Sequence, residues 1–373
     1  MHCLASLASA PIAGAQVSLV SPFARIVYSS MLPGWIAGHY AIEECTIFLS
    51  QLAARGSVTF HQTAAVAVDP DRRIVRCADR SEHPYDVLSI NTGPVADLEH
   101  LPGALDHALA VRPIEAFVEG WSALRMDLSA RDSGHVVPVG GGAAGVELAL
   151  AMRHSLRDRP RLGFTLISAA NTLPGSTATR LNRALSRAGI EVLAGTVASR
   201  IRSGKVELVD HSIVEADAII VATGTSAASW LQRSGLAVDE RGFLLTDAAL
   251  RVVSHPEVFA AGDCASVQGH PHPKSGVYAL HAGALLLHNL SRALSQQSLA
   301  TRVPQKRSLY IVSAGGRYAV ASWGGITWEG AWVWRWKDRI DRSFIAKYTA
   351  HGVGGARDRP HRRARARGSR GGS

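Results

Sequence analysis

The chain has 373 residues, 47% hydrophobic and 19% charged, which suits a soluble α/β protein of two or three domains with sizeable cores. Of its formal net charge of +10, six charges sit in the Gly/Arg-rich stretch 351–373, so the body is only mildly basic and no nucleic-acid partner is expected. Four cysteines at 3, 45, 77 and 264 form no close-spaced pair, and no apolar run reaches 18 residues; this excludes a disulfide framework, a zinc or other metal site, a redox dithiol and a spanning helix.

Residues 3–10 are small and helix-forming, 11–14 read as a turn and 16–21 (QVSLVS) as a strand. Ala8-Ser9-Ala10 resembles a signal-peptidase site, but no basic segment precedes it, and a helix leading into a strand fits better a βαβ unit whose first strand is lacking. A loop at 28–34, a helix over 36–52 and short strands at 58–60, 64–69 and 73–77 follow. Residues 85–91 (YDVLSIN) form an apolar strand ending in Thr92-Gly93, and 112–128 a helix after Pro113.

Residues 136–156 (VVPVGGGAAGVELALAMRHSL) read as strand, glycine turn and helix, with Gly140, Gly142 and Gly145 at the G-x-G-x-x-G spacing. The first glycine permits the tight turn, the second lets backbone approach a pyrophosphate, and the third lets helix and strand pack closely. Free amides and the positive dipole end of the helix would face the phosphates; a structural turn without ligand is the competing reading. The next strand, 164–168, ends in Ser168-Ala169-Ala170, with no carboxylate for a ribose 2′-hydroxyl, which leaves NAD and NADP open.

A helix at 178–188, strands at 191–194 and 197–201, and a hairpin at 205–209 and 212–214 lead to an apolar strand, 218–221, that runs into Ala222-Thr223-Gly224. Another strand ends in Ala261-Gly262-Asp263, and Lys274-Ser275-Gly276-Val277 opens a long helix to 294. A polar linker (295–307), a hairpin (310–312 and 318–322) and a helix over 330–348 precede the basic stretch, which reads as a disordered tail. Trp328, Trp332, Trp336, Ile340 and Phe344 fall four apart, with Arg335, Lys337, Arg339 and Arg342 elsewhere on the helix. The pattern suits a helix docked on the body with a basic outer face, or one lying at a membrane surface.

This order of signals resembles the FAD-dependent pyridine nucleotide-disulfide oxidoreductases, in which an NAD(P) domain is inserted in an FAD domain. The stretches at 28–40, 85–93 and 334–344 look like the subgroup related to type II NADH dehydrogenases that occurs fused to, or beside, selenide, water dikinase. The resemblance implies an α/β fold with two Rossmann-like dinucleotide-binding domains and a small C-terminal α+β region. Residues 1–112 and 233–300 would form the FAD domain, 113–232 the NAD(P)H domain, 301–350 the C-terminal region and 351–373 the tail.

It further implies FAD and NAD(P)H as cofactors, with hydride passing to flavin and electrons to a diffusible acceptor such as a quinone. Gly140, Gly142 and Gly145, with Gly224 nearby, would hold NAD(P)H. Thr92, Gly93, Gly262 and Asp263 would hold FAD, and Lys274, Gly276 and Val277 would run along its ring. Asp263 would accept from a ribityl hydroxyl (or, more plainly, cap a helix). Glu147 would carry protons at the nicotinamide–flavin junction, or merely complement the helix dipole from the first turn. The family's initial strand and glycine turn are missing, so truncation and weak FAD binding are expected, and an NAD(P)-binding remnant or accessory of selenium metabolism is the alternative. The expected location is cytoplasmic, in reach of a membrane surface.

Overall fold

The computed structural model describes residues 1–169, 175–305 and 307–349. The basic stretch read as a disordered tail lies outside these residues, as does Ala170.

Two sheets organise the α/β fold. The first has five parallel strands in the order Leu109–Ala110, Ala218–Val221, Gly134–Val139, Leu162–Ser168 and Ile190–Ala194. Val136–Val139 and Ala218–Val221 are buried throughout, as continuous apolar runs are when helices cover both faces of a parallel sheet. Ala143–Ser155, Gly175–Arg187 and Ile114–Ala130 are its helices, and Phe117, Trp121, Leu150 and Met152 are almost fully buried in the core. Beyond it, Ala198–Arg202, Lys205–Leu208 and Ile213–Glu215 make an antiparallel sheet, in which the strand expected at 197–201 joins the expected hairpin.

The second sheet runs Ala265–Val267, Leu244–Thr246, Arg251–Val252, His255–Ala260, Leu88–Ile90, with the last two parallel. Ser18–Val20 and Thr59–His61 form a separate parallel pair. Among the described strands, Leu88–Ile90 ends one sheet and Ser18–Val20 is bonded on one side alone. The helix His2–Leu7 packs on Gly276–Leu294, where a Cβ on Gly283 would lie 2.9 Å from that of His2. The chain passes from the second sheet to the first through Val95–Ala96 and returns through Thr225–Ser226, and these segments pair antiparallel.

The helix expected over 36–52 is broken. Leu32–Ile36 forms a short helix with Pro33 in its first turn, and Gly38, at φ +82°, ends it. Glu43–Cys45 makes a 3-10 turn, Thr46–Phe48 pairs antiparallel with Arg25–Val27, and Leu49–Arg55 is helical again. The β-branched pair Thr46-Ile47 finds a strand partner that periodicity alone could not show.

At the C-terminal end, Tyr310–Ser313, Ala319–Trp323 and Ile326–Gly330 form a three-stranded sheet, and the closing helix Ala331–Thr349 starts directly after it. Its buried face differs from the expected stripe. Val333, Trp334, Lys337, Asp341, Phe344, Ile345 and Tyr348 turn inward, while Trp332, Trp336 and Ile340 are 50%, 38% and 42% exposed. A strict spacing of four drifts 40° per step around a helix, so the tryptophans walk out of the interface before Phe344 enters it. Lys337, expected on a basic outer face, is inside.

Candidate functional site

The strand Gly134–Val139 ends in a turn that only glycine can make. Gly140 has φ +119°, and a Cβ there would lie 2.4 Å from Ala222 O. A Cβ on Gly145 would lie 1.8 Å from Gly140 O, so the helix is pressed directly onto the turn. Gly142 differs: it is the N-cap of Ala143–Ser155, and a Cβ would meet nothing within 4 Å. No side chain caps this helix start, which leaves its first amides facing that open space. Beside it, Thr223 Oγ1 is buried without a hydrogen-bond partner. Uncapped amides, a bare Cα and an orphaned hydroxyl fit the pyrophosphate of a dinucleotide. Gly224, next in line, also borders open space.

The second part of the site lies where the parallel strands Leu88–Ile90 and His255–Ala260 end together. Ala261 N donates to Ile90 O at 3.2 Å, and Asn91 Nδ2 donates to Ala261 O at 2.6 Å. Thr92 and Gly93 therefore emerge beside Gly262 and Asp263, and the Cys264 thiol sits against the Thr92 and Gly93 amides. Gly93 and Gly262 both have positive φ, +70° and +77°, and Gly93 borders open space. Asp263 lies in a 3-10 turn, Gly262–Cys264, capping no helix. Burial pushes its carboxyl above the usual range, with Arg112, Lys274 and His272 drawing it back.

Arg112 is a site residue that sequence reasoning missed. Val111 N donates to Val221 O at 3.0 Å, so Arg112 stands next to the Ala222-Thr223-Gly224 turn of the first sheet. Its guanidinium also feels the Asp263 carboxylate, and then Glu115, while burial lowers its pKa. Among the described residues it makes no salt bridge. A half-buried guanidinium and carboxylate, both uncommitted, fit the phosphate and ribityl portions of FAD. The one signal in sequence was an arginine before a proline at the crossover between the two units.

Lys274 turns back to the second sheet, donating to Ala265 O and to Ser266 Oγ at 2.8 Å, with its ammonium 4.2 Å from the centre of the Phe243 ring. Gly276 begins Gly276–Leu294 and, with Val277, forms its uncapped first turn; a Cβ on Gly276 would meet nothing. Glu147 is in the second turn of its helix, past the dipole position, and Oε1 accepts from Ser313 N at 2.7 Å. Burial raises its pKa, against the pull of Lys337. Among the described residues no cluster of three His, Cys, Asp or Glu could hold a metal ion.

Comparison with known proteins gives the family and the fold. A family model described as "Pyridine nucleotide-disulphide oxidoreductase" matches residues 1–283. A curated relative, the nitric oxide reductase FlRd-NAD(+) reductase of Aeromonas hydrophila, is 31% identical over 226 residues, covering 59% of this chain and 55% of the relative. The chain thus spans about half the length of the curated relatives it matches. Among solved structures, the sulfide:quinone oxidoreductase of Aquifex aeolicus superposes with TM-score 0.77 at 17% identity, covering 93% and 88% of the two chains. NDH2 from Plasmodium falciparum in complex with NADH gives TM-score 0.72 at 14% identity, covering 92% and 96%. At these identities the structural matches establish a shared fold.

Proposed function

The chain belongs to the pyridine nucleotide-disulphide oxidoreductase family, and from that premise we propose that it is an FAD-dependent oxidoreductase that takes hydride from NAD(P)H and delivers electrons to a diffusible acceptor. The observation that carries the reading is Arg112, which strand pairing sets beside Ala222–Gly224 and whose charge acts on Asp263. It ties the dinucleotide turn to the Gly262–Asp263 turn at the carboxyl ends of both sheets, where ligands of open α/β sheets bind.

FAD, when bound, supplies the two-electron hydride acceptor. The chain's own work is positioning. Amides of 143–145 hold a pyrophosphate, and the bare Cα of Gly142 lets it come close. Arg112 offers a fork of donors to phosphate oxygens, and Asp263 accepts from a ribityl hydroxyl. Holding the reactants in one orientation with water excluded is the main source of rate in such a site. By the resemblance, Glu147 would hold a proton near the ring junction.

The acceptor is external because the chain has no dithiol to pass electrons through: Cys45, Cys77 and Cys264 are buried singly and Cys3 is half-buried. A quinone fits this requirement, and the likeness at 334–344 supports association with selenide, water dikinase. Dye reduction by the purified protein with NADH and with NADPH tests the activity and separates the two donors; no turnover with either donor in flavin-loaded protein would refute it.

A peripheral membrane contact is supported by the exposed stripe Trp332, Trp336 and Ile340, flanked by Arg335 and Arg339. Among the described residues no helix is long and apolar enough to cross a membrane. Cosedimentation with anionic vesicles is expected, falling at least several-fold in Trp332→Ala/Trp336→Ala; equal sedimentation of both proteins would remove the contact.

A second reading is favoured by one observation, the one-sided pairing of Ser18–Val20 and of Leu88–Ile90. In that reading the chain binds NAD(P)H without retaining flavin. Colourless protein that still binds NAD(P)H would select that reading.

A further inference from the structure

The positioning scheme leaves unused an ion pair sealed inside the C-terminal region. Lys337 and Asp341, one turn apart on the closing helix, are 8% and 2% exposed, and Lys337 Nζ lies 2.7 Å from Asp341 Oδ2. Lys337 also donates to Ser30 O and, at 3.0 Å, to Ser30 Oγ, while Ser30 donates to Asp341 Oδ1 at 2.8 Å. Three ammonium contacts and both carboxylate oxygens are thereby committed. Removing two charges from water is costly, and apolar side chains of like volume often hold such a position as well or better. Packing alone gives no reason for charge at this place.

The neighbouring elements supply one. Ser30 lies two residues before the short helix Leu32–Ile36, which packs on the fingerprint helix Ala143–Ser155. Glu147 leaves that helix to bond Ser313 N at the end of Tyr310–Ser313, and the closing helix packs on the same strand. Leu32–Ile36, through the Ser30 that leads into it, and Tyr310–Ser313 thus each join the helix that carries Glu147 to the helix that carries the pair.

We propose that Lys337 and Asp341, held in register by Ser30, are positioning residues that set the protonation of Glu147 behind the dinucleotide turn. The proposal rests on the redox reading for its purpose, since a proton held there has a use beside a hydride acceptor. Burial keeps the Glu147 carboxyl protonated to higher pH than usual; Lys337 favours its charged form and Asp341 opposes it. Other charges around the fingerprint helix are engaged elsewhere: on it, Arg153 donates to Leu156 O, and His154 faces His39, whose Nε2 meets Gly315 O. Arg180 and Arg183 meet Glu329, and Arg187 acts on Tyr318. His135 and Glu191 meet Thr165, Tyr310 feels Tyr278, and Leu32–Ile36 carries no ionisable side chain.

The test is an infrared titration of the full chain, following the protonated-carboxyl band lost in Glu147→Gln and comparing each variant with and without that change. Lys337→Met should move the midpoint up by about one pH unit, and Asp341→Asn should move it down by less. A lone buried charge can unfold a chain, so Lys337→Met/Asp341→Leu, which leaves none, carries the test where a single variant does not fold. Its midpoint should rise, by less than in Lys337→Met, because the lysine is the stronger influence. Unmoved midpoints in folded variants, or single variants shifting in the same direction, would overturn the proposal. The band needs no turnover: its failure leaves the redox reading intact, whereas predicted shifts in a flavin-loaded protein that does not oxidise NAD(P)H would sink the redox reading alone.

Discussion

Gly145→Ala is expected to damage the fold, whereas Gly142→Ala, three residues away in the same turn, should spare the fold and lose the dinucleotide. The contrast follows from where each added methyl group lands. At Gly145 it would lie 1.8 Å from Gly140 O, a backbone atom fixed by the turn, so helix and strand must separate. Overpacking of this kind costs about 1–3 kcal/mol, and the turn that presents the amides is displaced with it. At Gly142 φ is −64°, a conformation open to alanine, and the methyl group meets no protein atom within 4 Å. Replacing glycine at an N-cap costs less than about 1 kcal/mol. The methyl group instead occupies the space offered to the pyrophosphate. A loss of about tenfold or more in NAD(P)H affinity is expected, equivalent to at least about 1.4 kcal/mol. Denaturant melts and NAD(P)H titrations of both variants check the pair; a destabilised Gly142→Ala that binds normally would show that the open space is not the pyrophosphate site.

The second large effect is expected at Asp263, where stability and flavin binding should move in opposite directions. Its carboxyl is half-buried, with a pKa held above the unfolded value, and it caps no helix. A carboxyl shifted upward binds its proton more tightly in the folded state. Its charge therefore opposes folding above the unfolded carboxylate pKa, and that penalty is relieved as pH falls through the folded value. Asp263→Ala should leave the flavin-free protein at least as stable near neutral pH and flatten its stability between the mildly acidic and neutral ranges. The same change should lower flavin retention by tenfold or more, because the ribityl hydroxyl loses its charged acceptor. Arg112→Met should also release flavin, by removing the phosphate fork. Flavin content after gel filtration, with melts at two pH values, reads both effects. A variant that keeps its flavin while losing stability would mark Asp263 as a structural residue.

The parts of this site that were legible in sequence are those enforced by local stereochemistry. Gly140 and Gly145 stand where a Cβ would strike backbone, so the spacing carries the turn within itself. Apolar runs such as Val136–Val139, short and bounded by a glycine turn, read as strands buried on both faces. Arg112 was not legible, because its meaning comes from two turns brought together by distant strands. Nor was the broken stretch after Leu32–Ile36, where apolar spacing suits a helix but Thr46–Phe48 is captured by Arg25–Val27. Lys337 misled most: charge on an amphipathic helix normally faces water, and its bonds to the backbone and side chain of Ser30 and to Asp341 make its burial tolerable. Such departures from pattern concentrate where a protein does chemistry rather than packing.

The central claim, that one chain brings a nicotinamide and a flavin together for hydride transfer, is met most directly by anaerobic titration of the flavin-loaded protein with NADH and NADPH. Bleaching of the flavin's visible absorption, complete near one equivalent of one of the two donors and right-shifted in Gly142→Ala, is the predicted result. Bound flavin that stays yellow through excess of both donors would contradict the account.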